Sequence, residues 1–371
     1  SMGLDVGMPQ FSIPLENTRV VRFHPQQPWM FIAQKLSNIP GLPAVIVVVD
    51  SHTGRRLQEF PVVDSDGNDE LGVTDLVFTD EGRRLWVITR ASHLLAFNVE
   101  SLAKREVAFQ VDFTDHKLER LVSVGLDDSL VVLGRDEQDS FYLWSVSSET
   151  GSIRAEQAFP DGIADISAAS DLNCVIISQP GQLCWIDPGS LSTIKTLNTT
   201  PSAGMLAYHG GLVALYARTT VFLYDAVTGQ ELGQLTPPPS GFPLARWDSP
   251  ISFSESGELL ALADNLRNQL HFWSTTDLVY LQSTHLDDSQ FNNICFQFSN
   301  AGQVAASGGG RTTVFNLRGS ALHPIARGNR VMCDVSVSRN VKSMTVVREE
   351  SPEIALIEVY DMEHKSISRS T

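Results

Sequence analysis

The stretch FSESGELLALADNLRNQLHFWS, Phe253–Ser274, holds a polar turn, an apolar run, a second turn and another apolar run ending in Phe-Trp-Ser. Apolar runs of this length between turn residues are strand-sized. Two clear copies follow the same plan: FTDEGRRLWVITRASHLLAFNV from Phe78 and FSNAGQVAASGGGRTTVFNL from Phe298. Weaker copies start near Phe23, Val124, Ala168, Tyr208 and Val337, so successive starts lie 55, 46, 44, 40, 45, 45 and 39 residues apart. A more polar fourth strand fits after each third one. A period of about 45 residues is that of a four-stranded propeller blade. RTTVF, at Arg218 and again 93 residues on at Arg311, repeats at two such periods and reads as the same corner of two blades.

One twisted four-stranded sheet cannot bury both its faces alone. Stacked radially, each sheet covers its neighbours, and only short edges remain. With SESG (254–257), LALAD (260–264) and HFWS (271–274), and with the strand endings LWSV (143–146), CWID (184–187) and FLYD (222–225), the chain resembles the WD40-repeat family of β-propellers. The resemblance covers nearly the whole chain. It departs from the family in lacking the Gly-His pair before the first strand, and its one Trp-Asp pair, Trp247-Asp248, stands before a first strand.

The expectation is an all-β fold, a β-propeller of four-stranded antiparallel blades, with eight blades favoured over seven. One propeller over 10–371 would have blades at approximately 16–63, 73–111, 118–159, 162–197, 203–236, 246–285, 291–327 and 331–371. QFSIPL, Gln10 to Leu15, reads as a strand that completes the last blade and latches the ring. Ser1 and Met2 read as a cloning remnant.

Composition fits a globular protein: 42% of residues are hydrophobic and 19% charged, and the longest apolar run, AVIVVV from Ala44, is too short for a membrane span. The start SMGLDVGMPQ has neither the basic head nor the apolar stretch of a secretory signal. Four cysteines without a CxxC pair read as buried thiols of a reducing compartment, cytoplasm or nucleus. A net charge of −16 argues against general nucleic-acid binding, which needs a basic surface.

No catalytic set, cofactor or metal site is expected. The nine histidines show no H-x-x-x-H spacing, and Gly308–Gly310 precede a strand, whereas a phosphate loop precedes a helix. D-x-x-T-G at Asp50 and Asp225 resembles a turn of eight-bladed quinoprotein dehydrogenases but lacks their later Trp, and reads as a third-to-fourth-strand hairpin. The sharper pattern is basic. Near the end of each second strand stand Lys35, Arg90, Arg135, Gln179, Arg218, Arg267, Arg311 and Arg348, seven of the eight cationic. In an antiparallel meander the turns after second strands share one face with the connections between blades. Arginine forks there suit carboxylate or phosphate. On the same face TPPPSGFPLARWDSP (236–250) offers Phe242 and Trp247 as anchors.

The expected function is therefore a non-enzymatic interaction scaffold, within a larger protein or complex, that binds a protein or an acidic or phosphorylated peptide. The alternatives are a phosphoinositide-binding propeller, which would need F-R-R-G where this chain has TGRR at Thr53 and EGRR at Glu81, and an enzyme with a site assembled across blades.

Overall fold

A computed structural model describes residues 4–36, 40–125, 129–199, 202–243, 250–286, 294–308, 310–319, 332–337, 343–351, 354–361 and 366–370. Two units are distinguished, 4–319 and 320–371 together with 1–3. In 4–319, seven four-stranded antiparallel sheets follow one another. Blades one to six span 18–61, 73–112, 117–159, 165–198, 205–234 and 251–285, each a simple meander. The first strands of successive blades touch in cyclic order, and that of blade seven (Cys295–Phe298) returns to that of blade one (Thr18–Phe23).

Second and third strands are buried along almost their whole length, as in Trp29–Gln34 and His93–Asn98. That is why they read as continuous apolar runs rather than as alternating ones. Fourth strands such as Thr193–Asn198 are mostly exposed, which explains their polarity. Among the described residues of 4–319 the core falls into seven clusters, one for each blade interface. Phe31, Phe60, Leu76 and Phe97 join blades one and two; Ile13, Val21, Met30, Ala305 and Val314 join blade seven to blade one.

The expected eight blades are corrected to seven. The strand Leu4–Pro14 completes blade seven, pairing antiparallel with Arg311–Gly319 from Leu4↔Gly319 to Pro14↔Arg311. The latch in the sequence is therefore real, but it closes the seventh repeat. Pro9 sits between two register shifts on this edge strand, where its missing N–H is tolerated. The eighth repeat forms its own four-stranded sheet, Met332–Val337, Ser343–Ser351, Ile354–Asp361 and Ser366–Ser370, in simple meander order. Its own last strand fills the fourth place, so no latch enters there.

The RTTVF copies do stand at the same corner of two blades, though not residue for residue. In blade five Ala217 pairs with Thr220, and Arg218 lies in a two-residue turn with φ +55°. In blade seven Gly308 pairs with Arg311, and Gly310 of the turn has φ +77°. The structurally equivalent residues are thus Thr220 and Arg311, two positions out of step with the sequence match. A slip of two keeps every side chain on its face, so the pattern survives the misalignment. The hairpin reading of the glycine run and of both D-x-x-T-G turns holds: Asp50 and Asp225 end third strands and accept N–H bonds from the turn that follows.

Candidate interaction face and central channel

The seven first strands line a central cavity of about 540 Å³. Its charges alternate around half the ring. Arg22 of blade one reaches Asp75 of blade two (2.9 Å), and Arg120 of blade three reaches Asp165 of blade four (3.4 Å). Each aspartate also ties the next blade: Asp75 Oδ2 accepts the Leu121 N–H and Asp165 Oδ2 the Leu206 N–H, both at 2.9 Å. Gln297 of blade seven does the same for Phe23 of blade one, at 2.6 Å. Burial pushes the Asp165 carboxyl up, while Arg120 and the two backbone N–H groups pull it down. These charges satisfy one another across blades, so they act as staples. The sequence marks them only faintly: Asp75 and Asp165 are single charges in their first strands, while Arg22 and Arg120 share theirs with other charged residues.

The turns after second strands and the connections between blades share one face of 4–319. Lys35, Arg90, Arg135, Arg218, Arg267 and Arg311 all stand at such turns, from blades one, two, three, five, six and seven. They differ in how their charge is used. Arg135 lies 2.9 Å from Glu119 and also meets Asp139. Arg267 is held by Asp264 at 2.8 Å and by the Ser240 carbonyl at 3.3 Å. Arg311 donates to Ser12 at 3.3 Å. Lys35, Arg90 and Arg218 are exposed, and among the described residues Arg90 and Arg218 enter no ion pair. Phe242 is half-buried and stacks on Trp273 with ring centroids 5.5 Å apart, so it holds its connection down on blade six. Trp247 lies outside the described residues. Arg348 belongs to the second strand of the separate sheet, and its side chain also lies outside the described residues.

Asp264 is the best-anchored turn residue. Burial alone would raise its carboxyl, but bonds from His271 and Arg267 outweigh it and hold the group down at about 2. Cys174 and Cys184 are buried free thiols, and burial pushes Cys174 up to about 11, far from a nucleophile's range.

Sequence patterning missed an apolar patch among these cations. Leu36, Leu42 and Leu71 are 42%, 48% and 51% exposed, far more than the surrounding core leucines. The backbone brings them together. The Lys35 carbonyl lies against Gly72, leaving no room there for a side chain, and the Glu70 carbonyl accepts the Ala44 N–H at 2.7 Å. Arg90 donates its backbone N–H to Gly72 at 3.0 Å and so borders the patch. Next to it, between blades two and three, an open groove of about 370 Å³ is lined by Arg90, His116, Lys117, Arg135, Asp136 and Asp139. In sequence Leu36 and Leu42 share the connection between the second and third strands of blade one, and Leu71 lies about 30 residues on in the connection to blade two, so only the fold makes the three neighbours.

No protein-family model and no curated protein matches the sequence. Among solved structures, the Cps50 (Swd1) β-propeller domain of Myceliophteria thermophila matches with a TM-score of 0.64 at 12% identity, over 86% of this chain and 100% of that one. The fold is a β-propeller. At this identity the likeness carries the architecture and leaves the surface of this propeller to be read from its own residues. Among those described, no helix is long and apolar enough to cross a membrane.

Proposed function

We propose that this propeller is an interaction module whose loop-rich face, across blades one to three, binds a short acidic or phosphorylated protein segment that also carries apolar side chains. The observation that supports it is the exposed leucine triad Leu36, Leu42 and Leu71 bordered by Lys35 and Arg90. Exposed leucines offer apolar area to bury, and the cations select the sign of the partner. The groove continues the surface toward blade three, where its mixed charges fit a polar rim. Arg218 stands across the ring, so a longer partner reaches it over the mouth of the channel.

The test is a peptide array of acidic segments, with and without leucine or phenylalanine, phosphorylated and not, probed with the whole chain. Acidic peptides with apolar residues should be retained, and Leu71→Asp with Arg90→Glu should weaken them at least tenfold. Arg56→Glu with Arg83→Glu, on the opposite face, should leave them unchanged. Retention indifferent to Leu71 and Arg90 sinks the reading, and dependence on phosphate alone moves the weight from the leucines to the cations.

A further inference from the structure

On the same face, between blades one and two, Asp64, Glu70 and His93 converge, with one ligand atom of each within 4.8 Å of the others. Asp64 and Glu70 lie in the connection that leaves blade one, and His93 opens the third strand of blade two. The connection is well braced. Asp64 N–H donates to the Asn68 carbonyl at 2.9 Å, Val63 bridges Asp69, and Glu70 N–H donates to the Val62 carbonyl at 3.0 Å.

Glu70 is only 2% exposed. Its Oε1 meets His93 Nδ1, while its Oε2 is buried with no hydrogen-bond partner among the described residues. A bare oxygen on a buried carboxylate is costly and calls for a positive ligand. The other imidazole nitrogen, His93 Nε2, faces Asp112 Oδ1 at 3.5 Å, and that oxygen is fixed by Gln110 Nε2 at 2.8 Å. An imidazole oriented by a carboxylate through one nitrogen is set to ligate a metal through the other. Asp64 already accepts the N–H groups of Asp66 and Asn68 on Oδ1 and the Asn68 amide on Oδ2, which leaves a lone pair on Oδ2.

We propose that Asp64, Glu70 and His93 bind one zinc ion, through Asp64 Oδ2, the Glu70 carboxylate and His93 Nδ1, with Asp112 orienting the imidazole. One imidazole and two carboxylates are a zinc-type donor set, whereas calcium and magnesium take oxygen alone. The ion takes the place of the Glu70–His93 hydrogen bond and engages the orphaned oxygen. It pins the connection after blade one to blade two, directly beside Leu71. The zinc site stands on its own geometry and does not depend on the partner proposed for that face.

The test uses the whole chain after chelator treatment, titrated with Zn²⁺ by calorimetry. One Zn²⁺ per chain is expected, with His93→Gln and Glu70→Gln each weakening it at least tenfold. The Co²⁺-substituted protein should show visible bands without a thiolate charge-transfer band. No Zn²⁺ binding, unchanged binding in both variants, preference for Ca²⁺, or a thiolate band overturns the assignment. If circular dichroism shows a variant unfolded, X-ray absorption on the wild-type zinc complex decides. A shell of nitrogen and oxygen at about 2.0–2.2 Å with imidazole scattering supports the site, and sulfur at about 2.3 Å refutes it.

Discussion

Asp264 shows how one turn residue can hold a blade corner. Its side chain is fully buried, and it accepts from the Arg267 guanidinium, from His271 and from the backbone N–H groups of Leu266 and Arg267. Its carboxyl stands at about 2 against an ordinary 3.8. A folded-state value below the unfolded one stabilises the fold above the unfolded value, here by about 2 kcal/mol, and that is lost as pH falls from about 4 to about 2. Thermal melts should show this loss in the wild type and a flatter profile for Asp264→Asn, which should also melt lower at pH 7. Parallel pH profiles would refute the assignment. Asp75 makes a second residue-scale case. Asp75→Ala leaves Arg22 and the Leu121 N–H facing the channel without their acceptor, and should cost about 3 kcal/mol, several degrees of Tm by scanning calorimetry. Gly82 has φ +92°, and a Cβ there would meet the His24 ring at 2.4 Å, so Gly82→Ala should lower Tm by both strain and clash.

At the scale of the element, the strand Leu4–Pro14 matters most. Ile13 is 3% exposed and packs among Val21, Met30 and Val314. Ile13→Asp should detach the strand and leave the edge of Arg311–Gly319 unpaired, an aggregation-prone template. Dye binding and light scattering at a temperature below the wild-type transition should rise; unchanged values would show that the ring holds without it. The strands themselves were legible in the sequence because second and third strands are buried on both faces and therefore continuously apolar. Their exact alignment was not. RTTVF matched two positions out of step, since face parity is blind to a slip of two and hairpin geometry decides the rest.

For the whole molecule, a repeat period of about 45 residues announced blades, but it could not count the members of the ring. A repeat that supplies all four strands and one that borrows its fourth look alike at this period. Repeat seven borrows from Leu4–Pro14 and the last repeat is complete in itself. The basic turns were legible because each recurs at one place in the period. Their local counter-charges were legible too, since Asp139 and Asp264 stand within four residues of Arg135 and Arg267, but Glu119 was not: it meets Arg135 through the pairing of Lys117 with Arg135. Nor could spacing reveal the leucine patch, built from two connections of blade one, or the Asp64–Glu70–His93 cluster, which joins the connection after blade one to blade two. If seven blades are the closed unit, residues 4–319 alone should melt in one cooperative transition. Residues 15–371, which keep the separate sheet but lose the latch, should not.

The pairing of Leu4–Pro14 with Arg311–Gly319 also has a consequence in time. A ribosome makes the first of these strands about 300 residues before the second. At about 5–20 residues per second, it waits on the order of tens of seconds for its partner. Throughout that interval six blades can assemble, while Leu4–Pro14 waits unpaired. Until the seventh blade is made, the strand that closes the finished ring is open to chaperones.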